Sequence, residues 1–138
     1  MKRSEKYQDT KFFKFYNANF NNKYTDDCVI RALSNAMGIS YNDVLIDLFN
    51  IYLKYGYSLT DNKCFEKYLK INGWKKHKQP RKLDNTKLNG IEFILEICNR
   101  NENYIVNIGS HHITSIVNNK IYDTWDCSEF KVGNYWTK

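Results

Sequence analysis

The spacing of apolar residues changes near residue 103, and this change constrains the fold more than any other feature of the sequence. Between residues 28 and 98, apolar residues recur every three or four positions, as on one face of a helix. From residue 104 they alternate with polar residues, as in strands. Helices packed on a C-terminal antiparallel sheet form an α+β domain. The 138 residues contain no internal repeat and no linker, so the sequence predicts one domain over residues 1–138.

Capping residues and glycines divide the first part of the chain into four predicted helices. The first begins at Asp27 or Cys28 and ends at residue 37, and the second runs from about 40 to 55. The third runs from about 61 to 71, and the fourth begins at Asp84 or Thr86 and reaches residue 98. The first ten residues are expected to form a frayed terminus. Residues 11–16 are expected to form a short edge strand or an anchor packed on the core. Residues 74–82 are expected to form an edge strand or an extended loop.

The alternating part of the chain predicts short strands joined by tight turns. The expected strands cover residues 104–108, 112–117, a stretch that begins at 120, and 130–136. The dipeptide Asn118-Asn119 favours a two-residue hairpin. Antiparallel pairing across it would put Val117 opposite Lys120, and His112 would then lie close to residues 122–125.

Cys28 is the strongest candidate for a reactive residue, because it stands at the predicted start of a helix. The positive end of the helix dipole lowers the pKa of a thiol there and makes it a better nucleophile. The other cysteines, Cys64, Cys98 and Cys127, form no C-x-x-C pair and have no histidine at zinc-ligand spacing. We therefore expect no disulfide, no metal and no organic cofactor.

A cysteine nucleophile needs a base and a group that orients the base. His112 is the favoured base, because strand alternation turns the neighbouring His111 to the opposite face. Asp123 lies one hairpin away and is the favoured orienting acid, with Asp126 as the alternative. The predicted catalytic residues are Cys28, His112 and Asp123. Arg31 is expected to form a structural ion pair or to cover the helix surface.

Two further residues complete the predicted site. The backbone N–H of Cys28 is one expected donor to an oxyanion, and the side chain of Asn22, or of Asn21, is the expected second donor. Trp125 is expected to cover the His112–Asp123 pair and to keep water away from it.

The order of these residues resembles that of papain-like cysteine peptidases, and in particular of small uncharacterised bacterial and phage proteins of papain-like type. That family has an amide side chain before the cysteine, a cysteine that opens a helix, a histidine that starts a strand, and an Asn or Asp on the next strand. Here Asn22 replaces the usual Gln, and the chain is much shorter than papain. Four elements carry the resemblance: Asp27–Leu33, Leu69–Trp74, His112–Ile116 and Tyr122–Asp126.

The resemblance implies a papain-like fold and a hydrolase that cleaves a peptide, isopeptide or other amide bond, or transfers the acyl group to an amine. The expected partner is a protein or peptide substrate. One alternative keeps the fold without catalysis, as an effector or anti-defence protein of a phage or bacterium that acts by binding.

The distribution of charge along the chain suggests a second alternative, a nucleic-acid-binding module. Residues 61–82 contain eight Lys or Arg and two acidic residues, so this segment alone accounts for the net charge of +6. Such a patch suits an acidic partner or nucleic acid, although no known nucleic-acid-binding motif is present. The sequence has no secretory signal and no apolar run of membrane-spanning length, so a cytoplasmic location and no membrane partner are expected.

Overall fold

The computed structural model describes all 138 residues as an α+β fold with five helices and one six-stranded mixed sheet. The predicted fold class is therefore confirmed at this level. The helices are α1 (Arg3–Lys6), α2 (Cys28–Met37), α3 (Tyr41–Tyr55), α4 (Asn62–Ile71) and α5 (Gly90–Glu96). The strands are β1 (Phe13–Phe15), β2 (Lys75–His77), β3 (Tyr104–Ile108), β4 (His112–Val117), β5 (Lys120–Asp123) and β6 (Val132–Thr137).

The sheet is mixed, and the prediction of an antiparallel, C-terminal sheet is wrong. β1 and β2 do lie within residues 11–16 and 74–82, for which an edge strand is one of the expected alternatives. The strand order is β1-β5-β4-β3-β6-β2, so strands from the first and middle parts of the chain form the two edges. β1 runs parallel to β5, whereas all other neighbouring strands are antiparallel. The edge strands have only three residues each. Such a strand is too short for alternation to reveal its partner or direction.

The sheet is covered on both faces. Helices α2, α3 and α4 bury one apolar cluster against one face, and α5 helps to bury a second cluster on the other. Ile105 belongs to the first cluster and Val106 to the second, as expected because successive side chains of a strand point to opposite faces. The N-terminus of α2 thereby comes to lie beside the beginning of β4.

The bounds of α2, α3 and α4 follow their capping residues. Gly38 and Gly56 end α2 and α3 with φ angles of 68° and 79°, a conformation that favours glycine. The Ser40 hydroxyl accepts from the N–H of Asp43, and the Asp61 carboxylate accepts from the N–H of Lys63. These three helices agree with the predicted spans.

Helix α5 begins later than predicted. Its N-cap is Asn89, which forms a reciprocal capping box with Glu92, and the start expected at Asp84 or Thr86 is wrong. Asp84 instead accepts from the N–H and hydroxyl of Thr86 in a turn that precedes the helix. The Asp84–Thr86 turn thus forms in place of a helix start at Asp84.

The N-terminal segment is more ordered than its polar sequence suggested. Residues 3–6 form one helical turn, and the Nε of Arg3 donates to the carbonyl of Thr124 at 2.7 Å. This contact ties the N-terminus to the residue that follows β5. None of the five helices has the length and apolar character needed to cross a lipid bilayer.

The β4–β5 hairpin has the predicted register. Val117 pairs with Lys120, and the turn residues Asn118 and Asn119 have φ angles of 52° and 59°. Positive φ at both central residues is the requirement of a type I′ turn. This register brings the first residue of β4, His112, close to the last residue of β5, Asp123.

Candidate active site

Cys28 occupies the first position of α2, where the helix N-terminus meets β4. Its thiol is partly buried and lies beside the imidazole of His112 and the backbone N–H of Ile113. Asp27 is the N-cap residue, but its carboxylate accepts no hydrogen bond from the first turn of the helix. The N–H groups of that turn have no acceptor within the helix, so they have no side-chain cap.

Contacts with the protein lower the pKa of the Cys28 thiol. Burial by itself raises it, but hydrogen bonds from His112 and from the N–H of Ile113, with the charge of Arg31, outweigh burial. Cys98 is the other partly buried cysteine, and its pKa is raised to about 12 by burial and by Glu102. Of these two thiols, only Cys28 has an environment that favours the thiolate.

His112 connects the thiol to a buried carboxylate. Its Nε2 lies 2.6 Å from Oδ2 of Asp123, which leaves Nδ1 as the ring nitrogen that can pair with Cys28. Burial opposes a charged imidazole, but hydrogen bonds with Asp123, Cys127 and Cys28 raise the pKa of His112 to about 11. The Trp125 ring packs against the imidazole with a centroid distance of 4.9 Å. Cys28 and His112 are therefore arranged to form a thiolate–imidazolium pair.

Asp123 uses both of its oxygens and is 1% exposed. Oδ2 accepts from His112 and, at 2.7 Å, from the hydroxyl of Thr114. Oδ1 accepts from Nη1 of Arg31 and from the N–H of Thr124, each at 2.7 Å. Burial raises the pKa of this carboxyl, but His112 and Arg31 outweigh burial and hold it below its usual value. The carboxylate is thus fixed in position and ionised.

Arg31 extends the buried charges from Asp123 to Asp27. Its Nε donates to Oδ1 of Asp27 at 2.8 Å, one helical turn before it. The other oxygen of Asp27 accepts from Nδ2 of Asn19 at 3.2 Å and from the hydroxyl of Tyr41 at 2.9 Å. The start of α2 is therefore held to the end of β5 by a continuous set of charged hydrogen bonds.

The side chains meet at a small polar cleft. Its volume is about 260 Å³, and Cys28, His112 and Trp125 contribute to its lining. Arg3 of α1 and Tyr24 of the preceding loop form another part of the wall, with the guanidinium 5.0 Å from the ring centroid. The cleft gives a substrate access to the thiol while the Asp123 carboxylate remains buried.

The structure pairs His112 with Asp123 and leaves the two alternative residues outside that pair. His111 is exposed at the rim of the cleft. Asp126 accepts from the backbone N–H of Ser128 at 3.0 Å, which is a turn contact. The histidine and acid that the structure brings together are therefore the favoured ones, His112 and Asp123.

The structure does not bring Asn22 into the cleft. Asn22 is exposed in a turn with a φ angle of 57°, and its N–H donates to the carbonyl of Asn19. Asn21 is exposed in the same turn. Asn19 is the buried amide of this loop, but it binds Asp27 and does not line the cleft. The donors that remain for an oxyanion are the backbone N–H groups at the start of α2.

Thr114 and Cys127 are contacts of Asp123 that the sequence did not single out. Thr114 shares a face of β4 with His112, so the alternation of faces along the strand indicates that Thr114 lies on the side of the site. The Sγ of Cys127 lies 3.9 Å from Oδ2 of Asp123 after a loop, and no periodic pattern indicates that contact. Both residues are buried and help to fix the carboxylate.

His112, Asp123 and Cys127 are close enough to be considered as metal ligands, since their ligand atoms lie within 4.8 Å of one another. The 2.6 Å separation of Nε2 and Oδ2 is a hydrogen-bond distance. Ligands of a tetrahedral zinc ion lie roughly 3.3–3.8 Å apart, given metal–ligand bonds of about 2.0–2.3 Å. The three side chains are therefore arranged for hydrogen bonding, not for metal coordination.

Comparison with known proteins finds no match to a protein-family model, to a curated protein or to a solved structure. The chemistry of the cleft is therefore inferred from its own geometry. A nucleophile, a base and a buried orienting acid in contact, in that order, are the components of acyl-transfer catalysis.

Proposed function

We propose that the chain is a papain-like cysteine hydrolase that cleaves a peptide, isopeptide or other amide bond. One observation carries the proposal: a thiol at a helix N-terminus contacts a histidine, and that histidine bonds a buried carboxylate. The lowered pKa of Cys28 and the raised pKa of His112 support it, because both shifts favour the reactive ion pair.

In the proposed reaction the Cys28 thiolate attacks the carbonyl carbon of the amide. The tetrahedral intermediate collapses when the C–N bond breaks, and the His112 imidazolium gives its proton to the leaving amine. The product is a thioester on Cys28. Neutral His112 then takes a proton from water, which attacks the thioester and releases the acid and the thiolate, and His112 is again protonated. An amine in place of water would give acyl transfer.

Asp123 and Thr114 act on this reaction through His112, and Arg31 acts through the Asp123 carboxylate and through its charge, which lowers the pKa of Cys28. The carboxylate accepts the Nε2–H, which fixes the tautomer and orients Nδ1 toward the thiol. Arg31 and Thr114 hold that carboxylate in place through hydrogen bonds of 2.7 Å. These two are positioning residues, because their hydrogen bonds hold the carboxylate that orients His112.

The substrate class follows from the size of the cleft. A volume of about 260 Å³ is below the usual 300–1,000 Å³ range of ligand pockets. It suits a single narrow group, such as one exposed peptide bond, an isopeptide or a side-chain amide, better than a long peptide held in several pockets.

Selective alkylation of Cys28 tests the proposal without knowledge of the substrate. The native protein is treated with iodoacetamide at about pH 6, where an ordinary thiol with a pKa near 8.5 is largely unreactive. Labelling at each of the four cysteines is followed by mass spectrometry. Cys98 is the internal control, because it is also partly buried but has a raised pKa.

We expect fast labelling of Cys28, little labelling of Cys98, and a loss of at least tenfold in the Cys28 rate in the His112→Ala variant. Equal rates at Cys28 and Cys98, or an unchanged rate in the variant, would show that the thiol is structural. Cys28→Ala should then remove all activity toward any amide or thioester substrate found by screening, while the folding transition stays close to that of the parent.

A further inference from the structure

A basic groove lies at the opposite edge of the sheet from the candidate active site. It has a volume of about 700 Å³ and lies between α4 and the β2–β6 edge. β2 is three strands away from β4 in the sheet, or about 14 Å at the usual strand spacing. The groove is therefore separate from the cleft that holds Cys28.

Five lysines surround this groove: Lys63, Lys67, Lys70, Lys75 and Lys76. The three from α4 recur at positions i, i+4 and i+7, which puts them on one face of the helix. Only Lys76 forms an ion pair, with Glu66 at 3.4 Å. Lys63, Lys67 and Lys70 have no carboxylate partner, and Nζ of Lys67 lies 4.7 Å from the ring centroid of Tyr55. Lys75 points to the opposite face of the sheet from Lys76, because successive side chains of a strand alternate. The α4 lysines and Lys76 therefore supply the positive field at the groove, which favours an anionic ligand.

The floor of the groove is apolar and offers little exposed aromatic surface. Trp74 and Trp136 line it and are only 7% and 4% exposed, and Tyr57 at its rim is half-buried. Nucleic-acid bases bind such proteins by stacking on exposed rings. Buried tryptophan edges suit instead an apolar side chain that enters between the lysines.

The backbone of β2 adds a third feature. β2 is the last strand of the sheet and pairs only with β6, so its outer edge has no strand neighbour. An extended peptide binds such an edge through main-chain hydrogen bonds. Lys75 and Lys76 on the edge disfavour pairing with a second copy of this chain, since lysine would then meet lysine.

We propose that this groove binds an extended acidic peptide segment of another protein. Carboxylates of the segment would pair with the α4 and β2 lysines, and one apolar side chain would rest on the Trp74–Trp136 floor. The proposal is independent of catalysis at Cys28.

The experiment uses the full chain with Cys28→Ala, so that no bound peptide is cleaved. The probe is a fluorescein-labelled synthetic peptide of about twelve residues, rich in Glu with a central Phe, and binding is followed by fluorescence anisotropy. Comparison probes are the same peptide with Gln for Glu and a labelled single-stranded oligonucleotide. The test variant is Lys67→Glu/Lys70→Glu. The matched control, Lys11→Glu/Lys87→Glu, has the same net charge but changes exposed lysines outside the groove.

We expect the acidic peptide to bind more tightly than the Gln peptide, with an affinity that falls as salt rises. The Lys67/Lys70 variant should lose at least about tenfold in affinity, whereas the control should change by less than about threefold. Equal losses in the two variants, equal binding of the two peptides, or tighter binding of the oligonucleotide would each overturn the proposal. Unchanged thermal unfolding of both variants verifies that the comparison is between folded proteins.

Discussion

Nη1 of Arg31 donates to Oδ1 of Asp123 at 2.7 Å, and both side chains are buried. This ion pair joins α2, which carries the candidate nucleophile, to β5, which carries the orienting acid. The contact spans 92 residues of the chain. The same guanidinium binds Asp27 at the start of α2. Arg31 therefore determines how the thiol-bearing helix sits against the histidine and its carboxylate.

Removal of the Arg31 charge should destabilise the protein strongly. In Arg31→Met, Asp27 loses its buried cationic partner and Asp123 loses one of its two, and breaking a buried pair costs about 3–5 kcal/mol. The measurement is the free energy of unfolding in urea. Lys14→Met is the matched control, because the Lys14–Asp9 pair is 2.9 Å long but 46% exposed on each side. That change should have little effect on stability, because solvent screens an exposed pair, and a similar loss in both variants would contradict the structural role of Arg31.

Asp123→Asn should lower the free energy of unfolding by an amount that decreases toward both acidic and alkaline pH. The pKa of Asp123 is lowered in the folded protein, so its contribution is present above its ordinary pKa of about 3.9 and is lost as the pH falls toward the folded value. The pKa of His112 is raised to about 11. The contribution of this side chain to folding stability is therefore complete below about pH 6.5 and is lost as the pH rises toward 11.

The stability difference between the parent and Asp123→Asn should therefore be largest between about pH 4 and pH 6.5 and should shrink on either side. Its maximum should be about 3 kcal/mol, as for the loss of one partner of a buried ion pair. The measurement is a series of urea unfolding curves from about pH 3 to about pH 9, which extends beyond both sides of this window. A difference that does not vary with pH would contradict the proposed ionisation of the pair.

The contact between His112 and Asp123 was predictable because local chemistry fixes it. Asn118 and Asn119 adopt the positive φ angles of a two-residue turn, and such a turn leaves a single register for the flanking strands. The end of α2 was predictable for a similar reason, since Gly38 adopts the left-handed conformation that ends it. Its start follows Asp27, which holds the N-cap position although its side chain does not cap the helix.

Other parts of the site and fold depend on contacts between distant segments. The parallel pairing of β1 with β5 has no local signal in a three-residue strand. Asn22 was expected in the site because it precedes Cys28, but a turn with positive φ directs the loop elsewhere. Cys127 reaches Asp123 through an irregular loop. Sequence periodicity describes the face of an element and does not specify where a loop places one side chain.

Gly90 should not tolerate a side chain. A Cβ at this position would lie 2.8 Å from the carbonyl oxygen of Ser128 and 3.1 Å from Cδ1 of Ile108. Since the closest atom belongs to the backbone, we expect Gly90→Ala to cost about 2 kcal/mol in urea unfolding. Gly133→Ala is the control, because its nearest contact is 3.3 Å from the side-chain oxygen of Asn107, which can move. A cost at Gly90 no greater than at Gly133 would contradict the close packing of α5.

Asn22 should contribute little to acyl transfer, because it is an exposed turn residue outside the cleft. Asn22→Gly removes the amide and keeps the positive φ angle that the turn requires. The measurement compares acylation of Cys28 by p-nitrophenyl acetate with its alkylation by iodoacetamide. Only acylation passes through an oxyanion, so loss of a true oxyanion donor would slow acylation by about 10²–10³-fold and leave alkylation unchanged. We expect both rates to stay within about twofold of the parent, as for an oxyanion held by the N–H groups at the start of α2. A selective loss of acylation would instead return Asn22 to the site.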